Sequence, residues 1–168
     1  MPLTLRPATP ADLPALHPVI ERAYRGDSAR QGWTHEADLL DDTRTDAGAL
    51  VAILADPAER LLIAVEDNAI LGCVQVSDRG GGRAYLGLLC IEPMRQAGGL
   101  GRQLIAAAEE TARTAFGATM IEMTVIDRRV ELIAYYERRG YVRTGETRDF
   151  PVPVDPPLYM TVLAKPLR

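Results

Sequence analysis

The chain switches between two hydrophobic rhythms, and the switches mark its elements. Leu3-Thr4-Leu5-Arg6 places apolar residues at every second position, as a half-buried strand does. Thr9 and Pro10 then read as an N-cap and first helical position, predicting a helix from there to about Tyr24. Pro14 and Pro18 weaken its middle, and Gly26 ends it. A polar stretch leads to two short helices, near 35–42 and 46–54. Strand patterns return at 61–66 and 70–77, separated by the turn dipeptide Asp67-Asn68. Gly80-Gly81-Gly82 makes the next hairpin turn, and the mostly apolar run 83–91 reads as a buried strand. Leu104, Ile105, Ala108 and Ala112 stripe a helix from Gly101 to about Phe116, closed by Gly117. A strand at 118–126, an amphipathic helix at 129–139 ended by Gly140, and a strand at 141–147 follow. After a proline-rich loop (Pro151, Pro153, Pro156, Pro157) the last strand covers 158–164. The order β-α-α-α-β-β-β-α-β-α-β-β predicts one α/β domain over residues 1–168, with a single mixed sheet and helices on both faces.

Composition narrows the functions. The 168 residues suit one domain, and 47% apolar with 25% charged residues is ordinary for a soluble globular protein. Nineteen basic and twenty-three acidic residues give a net charge of −4, a poor match for nucleic acid or an anionic membrane. No apolar run has bilayer-spanning length and no basic-then-apolar leader opens the chain, so a cytoplasmic protein is expected. Cys73 and Cys90 lie in apolar strand-like segments and read as buried free thiols rather than a disulfide. His17 and His35 are the only histidines, no Cys/His cluster has ligand spacing, and no metal is expected.

The chemically informative unit is a strand, the turn Gln96-Ala97-Gly98-Gly99-Leu100-Gly101, and a helix continuing from Arg102. Three glycines remove Cβ atoms where backbone must approach a ligand, and the helix start offers N–H groups and a positive dipole end. Together they suit a pyrophosphate, with Arg95 and Arg102 adding charge at the rim. Two rivals share the pattern: a tight strand-to-helix connection, and a dinucleotide fold with Glu122 as its acidic residue. Against the second, Leu104 stands where a third glycine or alanine belongs, Glu122 sits inside a strand, and too few alternating βα units surround the turn.

Gln96-Ala97-Gly98-Gly99-Leu100-Gly101 resembles the Gln/Arg-x-x-Gly-x-Gly/Ala signature of the GNAT superfamily of N-acetyltransferases. The apolar strand ending Leu89-Cys90-Ile91-Glu92-Pro93 is similar to the segment before that signature. Residues 131–141, a helix with Tyr136 followed by Gly140-Tyr141, resemble the family's second motif. The resemblance implies a mostly antiparallel twisted sheet of about seven strands, acetyl-CoA as co-substrate, and N-acetyl transfer to a primary amine through a ternary complex. It implies that backbone N–H groups of Ala97, Gly98, Gly99, Leu100, Gly101 and Arg102 hold the pyrophosphate, with Gln96 also cofactor-binding. Backbone of Leu89, Cys90 and Ile91 then pairs with the pantetheine arm, which requires this strand to splay from its neighbour in a V. Arg129 stands where the family commonly has asparagine; it either contacts the cofactor or faces solvent.

Acetylating an amine needs a neutral nucleophile, a donor for the developing oxyanion, and a proton for a leaving thiolate whose ordinary pKa is about 8.5. The oxyanion donor is expected to be the backbone N–H of Leu89, and the acid Tyr136, whose alternative role is core packing. Glu122, Tyr85 and Glu92 are the candidate bases, with Glu122 preferred, Glu92 expected to be exposed, and a water relay as the alternative. Trp33, Thr34, Glu36 and Arg44 are expected to shape the acceptor pocket; the other reading is a surface loop anchored by Trp33. The acidic set Glu36, Asp38, Asp41, Asp42 and Asp46 either attracts a cationic amine or forms a solvated helix face. A small-molecule amine is the expected acceptor. A protein or peptide acceptor and a non-catalytic acetyl-CoA-binding module are the alternatives, and a homodimer is compatible with all three.

Overall fold

A computed structural model describes residues 3–24, 46–92, 99–150, 155 and 157–167. The strands are β1 (Thr4–Pro7), β2 (Glu59–Glu66), β3 (Ala69–Gly80), β4 (Arg83–Ile91), β5 (Met120–Ile126), β6 (Val142–Asp149) and β7 (Tyr159–Pro166). They form one sheet in the order β1-β2-β3-β4-β5-β7-β6. Every neighbouring pair is antiparallel except β4 and β5, which are parallel. The helices among the described residues are α1 (Leu13–Tyr24), α2 (Ala47–Ala55), α3 (Leu100–Phe116) and α4 (Val130–Arg138). The short helix expected near 35–42 lies outside the described residues.

Local chemistry explains most boundaries. Asp67 and Asn68 both take positive φ (52° and 65°), as a two-residue hairpin turn requires. Asp46 caps α2 by accepting the Ala49 N–H at 2.8 Å, so this acidic residue is committed to the helix end. The first helix departs from expectation: Pro10–Asp12 is a separate 3-10 turn and the α-helix starts at Leu13. Pro14 therefore falls in the first turn, where its missing N–H costs nothing, and only Pro18 sits inside.

Alternate strand residues feed two cores, which is why β2, β3 and β4 read as nearly continuous apolar runs. On one face, Leu104, Ile105, Ala108 and Ala112 of α3 pack against Leu62, Val74, Val76 and Leu86. On the other, Leu16 and Ile20 of α1 and Leu50 of α2 cover Leu61, Ile63, Cys73 and Cys90. The two cysteines face each other across β3 and β4 as buried free thiols. No helix among the described residues is long and apolar enough to cross a membrane.

Candidate active site

β4 and β5 touch only where they begin. Arg83 pairs with Met120, Ala84 with Ile121 and Tyr85 with Glu122; beyond Tyr85 the strands part. The cause is a bulge in β4. Cys73 of β3 stands opposite Cys90, yet Gln75 stands opposite Gly87, so β4 carries one extra residue in between. Leu88 absorbs it with a φ of 49°, an uncommon conformation for a branched side chain, while its carbonyl accepts the Cys73 thiol at 3.4 Å. β5 cannot follow the bend, because its other edge stays paired with β7 through Ile126.

A cavity of about 190 Å³ fills the resulting V. Leu88, Leu89 and Ile126 line its open end, and α4 closes one side with Arg129, Leu132 and Tyr136. Gln75, Tyr85, Leu86, Gly87, Met123 and Thr124 line the narrow end.

At the open end α3 begins. Its N-cap is Gly99, left-handed at φ 78°, so no side chain caps the helix, and its first turn holds no acidic residue. A Cβ on Gly99 would lie 3.2 Å from Arg102 Nη2. One on Gly101 would lie 2.8 Å from Tyr135 Oη, so Gly101 is what lets Tyr135 pack against the helix start. A helix N-terminus with glycine at its cap and a guanidinium beside it matches the needs of a pyrophosphate. The residues present therefore fit coenzyme A, phosphates at the head of α3 and the thiol arm in the V. Of the turn, Gly99, Leu100, Gly101 and Arg102 are described; Gln96, Ala97 and Gly98 lie outside the described residues, as do Trp33, Thr34, Glu36 and Arg44.

Tyr136 is buried on the cavity wall, edge-to-face with Tyr135 (5.5 Å) and Tyr141 (6.1 Å). Burial first, and then the neighbouring Tyr135, push its phenol above the ordinary value; Arg129 pulls it back in part. The hydroxyl is therefore a proton holder throughout the physiological range. Arg129 occupies the N-cap of α4, is 7% exposed, and faces the cavity rather than solvent. Glu122 sits across the last β4–β5 pair from Tyr85, bonded to Arg148 at 3.0 Å, and is not among the cavity-lining residues. Tyr85 shares a 2.6 Å hydroxyl hydrogen bond with Thr124 and carries Arg79 over its ring. Glu92, expected to be exposed, is instead half-buried and accepts both Arg22 Nε (2.9 Å) and Arg22 Nη2 (2.7 Å). The forked guanidinium ties the end of α1 to the end of β4.

Gln75, Met123 and Thr124 were not legible as site residues. The one usable signal was Gln75, a polar interruption of the apolar run 70–76. Its amide donates to Glu59 at 2.7 Å, beside Ser77, which donates to the same oxygen at 2.5 Å.

Tyr141 gives a pH test. Burial and the adjacent Glu109, which accepts its hydroxyl at 2.9 Å, raise its phenol too. Above pH 10 the unfolded chain releases tyrosine protons that the folded chain keeps, so stability falls as pH rises. The slope is about 1.4 kcal/mol per pH unit for each phenol, about 3 for Tyr136 and Tyr141 together. Denaturant midpoints at pH 9, 10 and 11 should show a small loss by 10 and a steep one after. Tyr141→Phe should halve the slope, and a flat profile to pH 11 would contradict this account.

Residues 17–141 match the family described as acetyltransferase (GNAT) family. An IAA acetyltransferase of Azospirillum brasilense is 30% identical over 94 residues, 55% of this chain and 60% of that protein, so the match spans less than two thirds of the relative. The yncA structure from Salmonella typhimurium, solved with its cofactor acetyl-CoA, superposes with a TM-score of 0.76 at 19% identity, covering 100% of this chain and 95% of the other. The ribosomal-protein-S18-alanine N-acetyltransferase from Escherichia coli gives 0.76 at 16% identity, covering 99% and 94%.

Proposed function

The chain belongs to the acetyltransferase (GNAT) family, and from that premise we propose that it transfers the acetyl group of acetyl-CoA to a primary amine of a small molecule, both substrates bound together. The observation that carries this reading is the V between β4 and β5 opening onto the uncapped, glycine-led start of α3. Acetyl-CoA would supply an acyl group activated as a thioester.

The chain's own residues divide the remaining work. Backbone N–H groups from Ala97 through Arg102 hold the pyrophosphate, and the Arg102 guanidinium adds charge. Backbone of Leu89, Cys90 and Ile91 aligns the pantetheine arm, and Arg129 donates to it from the head of α4. The Leu89 N–H is assigned to the carbonyl oxygen. Tyr136 donates to the sulfur. Its phenol is held above 10 and a thiol lies near 8.5, so complete proton transfer is uphill and a hydrogen bond is the mode of assistance. The amine's proton passes to water and the departing thiolate takes one back from it; Glu122, held by Arg148 outside the cavity lining, can act only through that relay. Trp33, Thr34, Glu36 and Arg44 are assigned to the acceptor wall.

The test mixes protein and acetyl-CoA with a panel of amines, amino acids and peptides and follows free thiol. Turnover with one small amine is expected. Turnover confined to peptides would replace the small-molecule acceptor, and acetyl-CoA binding without any turnover would leave a binding module.

A further inference from the structure

We propose that the narrow end of the β4–β5 cleft is the acyl pocket, and that Leu86, Met123 and the Tyr85–Thr124 hydroxyl pair restrict the donor to short acyl groups. The inference rests on the reading of the chain as an acyl-CoA-binding enzyme and deepens it from acetyl transfer to acyl-length selection.

Direction comes from the topology. α3 starts beyond the far end of β4, so phosphates held there leave the sulfur end of the ligand pointing back along β4 into the V. From Ile91 to Tyr85 the strand offers about 20 Å at about 3.3 Å per residue. An acyl group carried past the sulfur meets the narrow end.

That end is bounded ahead and on both faces. Ahead of it the last backbone pair joins Tyr85 to Glu122. On the α3 face Leu86 and Met123 are buried in the main core, backed by Ala84 and Ile121, both wholly inaccessible. On the opposite face the strands have already parted, yet Tyr85 and Thr124 bridge the gap by a 2.6 Å hydrogen bond. Close-packed side chains leave no slack for added methylenes, and displacing them costs free energy.

The full chain should be titrated calorimetrically with CoA, acetyl-CoA, butyryl-CoA and octanoyl-CoA, a readout that needs no acceptor. Octanoyl-CoA should bind at least about tenfold more weakly than acetyl-CoA. Met123→Ala and Thr124→Ala should each shrink that gap to under about threefold, with each variant's own CoA affinity as its reference. Thr124 is half-buried and off the main core, so its variant serves if Met123→Ala fails to fold. Equal wild-type affinity for octanoyl-CoA and acetyl-CoA would overturn the inference, as would a gap that persists in both variants. Absence of binding by CoA itself would instead remove the cofactor reading, and this inference with it.

Discussion

Replacing Gly99 with valine should lower coenzyme A affinity by about a hundredfold or more while the domain stays folded. Gly99 takes φ 78°, a conformation that a β-branched residue adopts only under strain. Its new Cβ would sit 3.2 Å from Arg102 Nη2, which must give by a few tenths of an ångström, and its two methyl groups would stand where phosphate oxygens have to approach the N–H groups. Strain of this kind costs about 1–3 kcal/mol, within the stability of an ordinary domain. Gly81→Val separates strain from site. Gly81 also has positive φ (62°), in the β3–β4 turn, with nothing within 4 Å of an added Cβ. Both variants should melt at similar, slightly lowered temperatures, but only Gly99→Val should lose binding in a calorimetric titration. Near-normal binding by Gly99→Val would take the pyrophosphate away from α3.

Tyr136→Phe should lower kcat by about a hundredfold and leave CoA affinity within about threefold. The variant keeps the ring, and with it the edge-to-face contacts to Tyr135 and Tyr141, so packing is retained. Only the hydroxyl proposed to donate to the departing sulfur is lost. If the tyrosine merely fills the core, kcat stays put and the melting temperature shifts instead; that result would return the residue to a structural role. Because the phenol is held above its ordinary value, no alkaline limb from Tyr136 should appear in the wild-type rate profile below pH 10.

The elements that frame the cleft are legible in the sequence. The helix that follows Gly99 and the Tyr136 helix are legible because each depends on residues a few positions apart. The expected splay was legible only through the family resemblance; its physical cause, the extra residue at Leu88, leaves no mark in the apolar run 83–91. Arg129 could be read either way, since a residue at a helix start faces solvent or cleft according to where the helix docks; here it docks over the V. Met123 and Thr124 read only as consecutive strand residues. Their importance comes from sitting at the narrow end of a gap between strands.

The sequence by itself determined the local punctuation: the Asp67-Asn68 turn, the glycine stops at Gly117 and Gly140, the stripe that buries α3, and the uncapped start of that helix. These follow from backbone sterics and from periodicity within one element. Only the tertiary structure decided which groups meet. The Arg22–Glu92 fork spans 70 residues, the Tyr85–Thr124 bridge 39 and the Glu122–Arg148 pair 26. The last depends on a strand order in which β7 comes between β5 and β6, and the second on the single parallel pairing, that of β4 with β5. Strand order is set by how two cores are jointly filled, a property of the whole chain that no short window of residues encodes.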